Sequence, residues 1–274
     1  MKHSVAIHKD ILKKLSTLVI TMALCLGFST ITTAQSSEMP DDKQQFLTIK
    51  NNLQTAVDSL NKAGVIKAKY ALVSYAEGSD KELKKLAYYY MGYAAYRLNT
   101  LFQDIKEKQK EQFLDKSAQH LEKATNLDDD FADAWALLGS TYGMKAAGFF
   151  SGMKYGPKSD KAMSKAKDAE PQNPRVHMLN SIGKLYKPSM FGGSTEGAIE
   201  GFGKAASLYE KYRPKNKLMP DWGHAEVYAW LGQGYEQNEQ PNEARQAYKQ
   251  ALEINPDYGW VKDKLLPELE EKIN

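Results

Sequence analysis

The sequence predicts an all-α protein in which about five helix pairs stack into a solenoid and a C-terminal helix caps the stack. Three observations support this fold class. The same small and large apolar residues recur at fixed offsets in several stretches, and no stretch shows the alternation of a half-buried strand. The composition, 42% apolar and 26% charged over 274 residues, is that of a globular chain rather than a disordered or polytopic membrane protein.

The strongest repeat covers residues 225–258. Gly232 and Ala244 allow two helices to approach closely, and Pro256 ends the second helix because proline cannot continue the hydrogen-bond ladder. This pattern resembles the tetratricopeptide repeat (TPR), and the resemblance implies antiparallel helices A and B in a right-handed helix-turn-helix solenoid. The residues that carry the resemblance are Tyr228, Leu231, Gly232, Tyr235, Ala244, Tyr248, Ala251 and Pro256.

Similar spacing recurs upstream and divides the chain into successive pairs. Leu138-Gly139, Ile182-Gly183 and Met91-Gly92 take the place of Leu231-Gly232. In the following helix B the place of Ala244 is taken by a small residue, which is Ala162, Ala198 or Ser117 respectively. We expect one solenoid domain over residues 42–273. Its pairs span about 42–79, 85–131, 132–175, 176–213 and 225–258, and residues 259–273 form the cap that covers the last apolar face.

The N-terminus has the pattern of a secretory signal peptide over residues 1–34. Lysines precede the charge-free run from Leu15 to Phe28, and Thr32 and Ala34 supply small residues for cleavage after Ala34. An uncleaved membrane anchor is the alternative, and only that would associate the chain with a membrane. We expect a periplasmic or secreted protein in which residues 35–41 form a short tail. The one cysteine, Cys25, lies inside the signal, so a disulfide framework is excluded.

Charge and motifs argue against several functions. Residues 1–34 hold four lysines and one aspartate, so the rest of the chain has 33 basic and 33 acidic residues and no basic stripe for nucleic acid. The mature histidines, His120, His177 and His224, are far apart and indicate no metal site. No spacing supports a catalytic constellation or a nucleotide loop. We therefore expect no enzyme activity, no cofactor and no metal.

The turns between helices A and B are lengthened in three successive repeats. Gly232 and Ala244 are 12 residues apart, but the equivalent distances upstream are 15, 23 and 25. The added segments carry Phe149, Phe150, Tyr155 and Phe191, and apolar residues in a turn must be covered by something. Either they pack back onto the helices, or they cover one end of the concave groove and form a pocket there.

The TPR resemblance also implies which helix A residues face the concave groove. In the pair 85–131 they are Tyr89, Tyr93, Tyr96 and Arg97, and in the pair 176–213 they include Asn180, Lys184 and Lys187. Tyrosines beside cationic groups suit an extended peptide with acidic side chains, although tyrosines at helical spacing are also common core residues.

Two functions follow from these features. The first is an exported, non-catalytic scaffold that binds a protein or peptide partner in its concave groove. The alternative is a small-ligand-binding periplasmic component of a transport system, whose pocket the lengthened turns would form. In that respect the chain is similar to the exported helical-repeat T component of TRAP-type transporters.

Overall fold

The computed structural model describes residues 39–102 and 104–273, and the predicted signal peptide lies outside them. Within these residues the chain is helical, with no strand, and the predicted all-α solenoid is confirmed. The helices are α1 Asp41–Asp58, α2 Lys62–Ala71, α3 Val73–Glu77, α4 Lys81–Thr100, α5 Glu107–Leu127, α6 Ala132–Lys145, α7 Phe149–Ala169, α8 Pro174–Tyr186, α9 Thr195–Lys211, α10 His224–Gln237, α11 Pro241–Ile254 and α12 Leu266–Ile273.

Local sequence accounts for where these helices begin. The Asp80 carboxylate accepts hydrogen bonds from the backbone N–H groups of Glu82 and Leu83, at 2.8 and 3.0 Å, and so caps α4. Asn173 caps α8 by accepting from the N–H of Arg175, with Pro174 in the first helical position. These caps satisfy N–H groups that have no partner inside the helix, so each helix starts at a defined residue.

Close packing within the pairs depends on glycine. A methyl group on Gly232 of α10 would lie 2.3 Å from the ring of Tyr248 on α11. The same crowding occurs in the pair α4–α5, where a methyl on Gly92 would lie 2.7 Å from the side chain of Leu121. Glycine at these positions therefore sets how closely helix A and helix B approach.

The last pair is closed by the C-terminal cap. Tyr258, Val261, Leu265 and Leu269 pack onto the buried face of α11. Residues Val261–Leu265 form a wide π turn that leads directly into α12, so Pro267 lies within a continuous helical stretch. The wide turn before it is where the helix accommodates the backbone N–H that proline lacks.

One long connection sets the shape of the interior. Residues 212–223, between α9 and α10, are irregular and run across the solenoid to α1 and α4; we call them the crossing segment. Lys50 of α1 donates to the Lys217 carbonyl at 2.9 Å and forms an ion pair with Asp221 at 2.6 Å. The crossing segment thus joins the fourth helix pair to the first.

The first and last parts of the solenoid also meet directly. The Asn255 amide, after α11, donates to the Asp58 carboxylate at the end of α1 over 3.1 Å. Gly259 lies against the same helix end, because a methyl on it would be 3.1 Å from the Asp58 carbonyl oxygen. We call this meeting of the two ends the seam.

Candidate binding surfaces

The structure brings together the four groove residues predicted on α4, but it does not leave them open. Tyr89, Tyr93, Tyr96 and Arg97 are all buried, with at most 3% of each residue exposed. The expectation of an accessible tyrosine ladder is therefore corrected. The cause is the crossing segment, whose Trp222 lies over the tyrosines with its ring centroid 4.9 Å from that of Tyr93.

Polar contacts hold Trp222 in this position. Its indole N–H donates to the Tyr89 hydroxyl at 2.8 Å, and its carbonyl accepts from the Tyr209 hydroxyl at 3.2 Å. Burial raises the pKa of Tyr89 well above the usual tyrosine value, with the Asp133 carboxylate adding to the effect. Tyr89 is therefore a neutral hydrogen-bonding group of the interior.

Two buried ion pairs cross the interior. Arg97 of α4 pairs with Glu226 of α10, and Arg175 of α8 pairs with Asp133 of α6 at 2.6 Å. Burial disfavours the charged form of Arg97, but the charge and hydrogen bonds of the facing Glu226 carboxylate, together with the neighbouring tyrosines, raise the pKa of the guanidinium. Both guanidinium groups lie near the ring of Trp222, at 4.9 and 6.0 Å.

Sequence reasoning missed the role of Arg175, Glu226 and Trp222. Glu226 and Asp133 lie on helices A of the fifth and third pairs, but their partners come from other pairs, and no local spacing reveals such a pairing. The detectable signal was the eleven-residue stretch 213–223, which carries Leu218 and Trp222 between two repeats, where a short polar turn would be usual.

The structure does not bring Asn180, Lys184 and Lys187 together with the α4 tyrosines. Lys187 forms an ion pair with Asp160 of α7 at 2.6 Å, and the Lys184 ammonium lies 3.8 Å from where a methyl on Gly197 of α9 would be. The Lys184 and Lys187 side chains face the neighbouring B helices, so their assignment to the inner face is corrected. Asn180 is half-buried, and its assignment stays a prediction.

The reason is a register shift in α8. Ser181, not Gly183, packs against the partner helix: a methyl on Gly201 of α9 would come within 2.1 Å of its hydroxyl. Gly183 is exposed, and a methyl placed on it would have nothing within 4 Å. The Ile182-Gly183 dipeptide imitates the Leu-Gly of the other repeats, but it stands two residues further along the helix.

The inner face stays open at its C-terminal half. There Tyr186 of α8, 59% exposed, makes an edge-to-face contact with Trp230 of α10, with centroids 6.1 Å apart. Trp230 contacts Trp260 in the same manner at 4.8 Å, and both tryptophans are half-buried. We call these three residues the aromatic row. The Trp230 N–H donates to Glu226 at 3.2 Å, so the row is anchored to the buried ion pair.

The lengthened turns after α6 and α8 do not pack back onto the helices. Phe149, Phe150 and Phe191 are exposed, so both expectations for these three residues are corrected, whereas Leu101, Phe102 and Ile105 in the turn after α4 are buried. Tyr155 differs, because it stacks on Tyr142 with centroids 5.9 Å apart. We call the exposed set the apolar edge: Phe149 is 79% exposed, Phe150 83%, Met153 69%, Met190 81% and Phe191 66%.

A cavity of about 390 Å³ lies at the seam. Its walls carry the polar side chains of Asn51, Gln54 and Asp58 from α1 and of Asn255 from the opposite side, together with apolar residues such as Val57 and Ile254. We call it the seam cleft. Burial raises the pKa of Asp58 to about 6, against stabilisation of its charge by the Gln54 and Asn255 amides.

Two other kinds of feature do not occur among the described residues. In the part of the chain that the structure describes, no group of three or more histidine, cysteine, aspartate or glutamate side chains is placed to hold a metal ion. Of the helices described, none combines the length and the apolar character needed to cross a membrane.

Comparison with known proteins places the fold among helical-repeat proteins. Residues 225–258 match the tetratricopeptide repeat family model. The chain is similar to the HusA haemophore from Porphyromonas gingivalis, with a TM-score of 0.58 and 22% identity over 71% of this chain and 93% of that one. It is also similar to TTC0263, a thermophilic TPR protein of Thermus thermophilus, with a TM-score of 0.54 and 14% identity over 79% and 96% of the two chains.

These likenesses define a TPR-like helical solenoid, and at such identities they concern the fold alone. No curated protein matched the sequence.

Proposed function

We propose that this chain is an exported, non-catalytic binding protein that holds a protein or peptide partner on the open half of its inner face. The observation that carries the proposal is the aromatic row, in which Tyr186 is 59% exposed although its ring contacts Trp230 of the next pair. TPR-like folds commonly present peptides along this face. The closed half, under Trp222, limits the partner to the C-terminal pairs.

The aromatic row suits an extended segment with apolar or proline side chains. Rings held edge-to-face are already ordered, so a partner gains contact area without ordering flexible side chains. The hydrogen bond from the Trp230 indole N–H to the Glu226 carboxylate holds this ring in place. Tyr186, the most exposed member, is the ring that a partner would cover first.

Site-specific photo-crosslinking tests this function in the cells that produce the protein. A photoreactive phenylalanine analogue replaces Tyr186 in one variant and Tyr70 in a matched control. Tyr70 on α2 is 66% exposed and lies outside the aromatic row. We expect the Tyr186 variant alone to capture a discrete partner, and Trp230→Ala in that background to remove the product. Equal products at both positions, or none at Tyr186, would exclude the proposal.

Export is tested separately by the mass of the mature protein. Cleavage after Ala34 leaves a chain that starts at Gln35 in the periplasmic or secreted fraction. A chain of full mass in the membrane fraction would instead support the anchor alternative.

A second candidate function is supported by the seam cleft, whose volume of about 390 Å³ falls in the range of small-molecule sites. Its ionisable groups are mainly acidic, and its other polar groups are amides. A neutral hydroxylated or cationic ligand therefore fits it best. Haem, the ligand class suggested by the likeness to a haemophore, carries two carboxylates and would face Asp58 and Glu226 here.

Thermal denaturation with separate probes distinguishes these ligands. Putrescine represents a cation, maltose a neutral hydroxylated molecule and hemin the haemophore ligand. A stabilisation by putrescine or maltose that is lost in Asn51→Ala supports the cleft. Stabilisation by hemin alone, unchanged in Asn51→Ala, would place ligand binding elsewhere. No response to any of the three would reject the small-ligand function.

A further inference from the structure

The apolar edge is a second exposed surface that the proposed partner site leaves unused. It consists of the start of α7 and the turn between α8 and α9. Both segments follow a helix A and precede a helix B, so they lie on the same edge of the solenoid. The ion pair between Lys187 of the turn and Asp160, at 2.6 Å, joins the turn to the middle of α7, about 16 Å along that helix from Phe149.

The edge protrudes because α7 starts early. In α9 and α11, helix B starts three residues before the alanine of the repeat pattern, Ala198 or Ala244. In α7 it starts thirteen residues before Ala162. The ten additional residues add about 15 Å of helix at 1.5 Å per residue. Phe149 and Phe150 stand at the tip of this extension, 79% and 83% exposed.

The surroundings of the edge are basic, although the chain after residue 34 has no net charge. Residues 145–161 contain four lysines and a single acid, Asp160, and residues 184–193 contain two lysines and no acid. Several of these lysines have no carboxylate within 4.0 Å in the part of the chain that the structure describes; they are Lys154, Lys158, Lys161 and Lys184. The positive charge is therefore available to a partner.

We propose that the apolar edge inserts into the surface of an anionic lipid membrane. Exposed phenylalanine and methionine at a protruding tip can enter the boundary between headgroups and acyl chains, and the flanking lysines then lie at the level of the lipid phosphates. A protein partner would be expected to meet a broad or concave patch with a packed centre, whereas these side chains stand on two narrow projections.

The charge distribution favours this occupant as well. An anionic membrane attracts a basic segment within about one Debye length and holds it only while salt does not screen the attraction. Apolar insertion alone would not distinguish neutral from anionic lipid. The juxtaposition of five exposed apolar side chains with unpaired lysines therefore predicts binding that depends both on lipid charge and on the phenylalanines.

Vesicle sedimentation of the full chain tests this inference independently of the partner site. Phosphatidylcholine vesicles are compared with vesicles that also contain phosphatidylglycerol, at about 0.1 M and about 0.5 M salt. Phe149→Ser/Phe150→Ser removes the tip, with Tyr70→Ser, at a residue 66% exposed elsewhere, as the matched control. Lys154→Gln/Lys158→Gln/Lys161→Gln removes charge, with Lys67→Gln/Lys108→Gln/Lys249→Gln, all outside the edge, as its control.

We expect sedimentation with the anionic vesicles at low salt, and at least a roughly tenfold higher lipid concentration for half-binding by both edge variants. Helical circular dichroism should remain that of the wild type in all variants. Equal binding by wild type and edge variants would overturn the proposal, since another segment would then bind lipid. So would indifference to lipid charge, an equal loss in the controls, or no sedimentation at all. Loss of crosslinking at Tyr186 would affect the partner site and not this one.

Discussion

Arg97 and Glu226, 129 residues apart in sequence, form a buried ion pair with two hydrogen bonds that joins the second helix pair to the fifth. Both side chains are almost fully removed from solvent, 4% and 7% exposed. In a regular solenoid each repeat contacts only its neighbours. This pair therefore gives the chain a long-range interior that a simple stack lacks.

Removal of one partner should be strongly destabilising. Glu226→Ala leaves the Arg97 charge buried without a counter-charge, and we expect a loss of about 3–5 kcal/mol in the free energy of unfolding. Urea denaturation measures it. Glu253→Ala, at an exposed site on α11, is the control and should change stability by less than about 0.5 kcal/mol. The double variant Arg97→Met/Glu226→Leu should recover most of the loss, and a double variant no better than Glu226→Ala would contradict a charge-based explanation.

Trp222 should be the main anchor of the crossing segment. Trp222→Ala removes the ring that covers Tyr93 and the donor to Tyr89, so we expect a loss of about 3–5 kcal/mol and faster amide hydrogen exchange across residues 212–223. Trp222→Phe keeps the ring but loses the hydrogen bond, which should cost about 1 kcal/mol. Lys217→Ala, which removes an exposed side chain, serves as the control. Unchanged exchange in Trp222→Ala would show that other contacts hold the segment.

The predictable and unpredictable parts of this structure differ in the range of their interactions. Helix pairs were predictable because contacts such as Gly232 against Tyr248 join residues 16 apart, and the spacing of small and large residues records them. The covering of the α4 tyrosines by Trp222 was not predictable in this way. It joins residues 133 apart, and nothing periodic marks it.

The prediction that the side chains of the lengthened turns are covered was wrong for a different reason. Phe149 and Phe150 were expected to be covered, because burial of aromatic side chains is the usual outcome of folding. Here the extension of α7 carries them past the end of α6 and away from other helices. The spacing showed that residues had been added, but not that they lengthen the helix.

Asp58 should make stability depend on pH in the direction opposite to most carboxylates. Its pKa is about 6 in the folded chain, above the ordinary 3.8, so the folded state binds the proton more tightly. The ionised form therefore costs free energy above pH 6, and this cost disappears as the pH falls from about 6 to about 4. The full effect is about 3 kcal/mol at most.

Comparison with Asp58→Asn isolates this contribution. The variant is neutral at every pH, so we expect it to be more stable than wild type at pH 8 and nearly equal near pH 4. Urea denaturation across this range gives the difference. His120, whose pKa is lowered to about 4 mainly by burial, acts in the opposite direction in both proteins and cancels from the comparison. A difference independent of pH would exclude Asp58 as the titrating group.

Gly183 and Gly232 should respond in opposite directions to the same substitution. Both follow an apolar residue in the repeat pattern, and both lie inside a helix A. Gly232→Ala places a methyl 2.3 Å from the Tyr248 ring, so we expect a loss of about 1–3 kcal/mol from overpacking. Gly183→Ala meets nothing within 4 Å and gains helix propensity, so stability should rise by up to about 1 kcal/mol.

The melting temperatures of the two variants measure this contrast. Gly201→Ala, which would crowd Ser181, should lower the melting temperature as Gly232→Ala does. If Gly183→Ala destabilised the protein as much as Gly232→Ala does, the register shift in α8 would be wrong, and Gly183 would pack against helix B as the other repeats do.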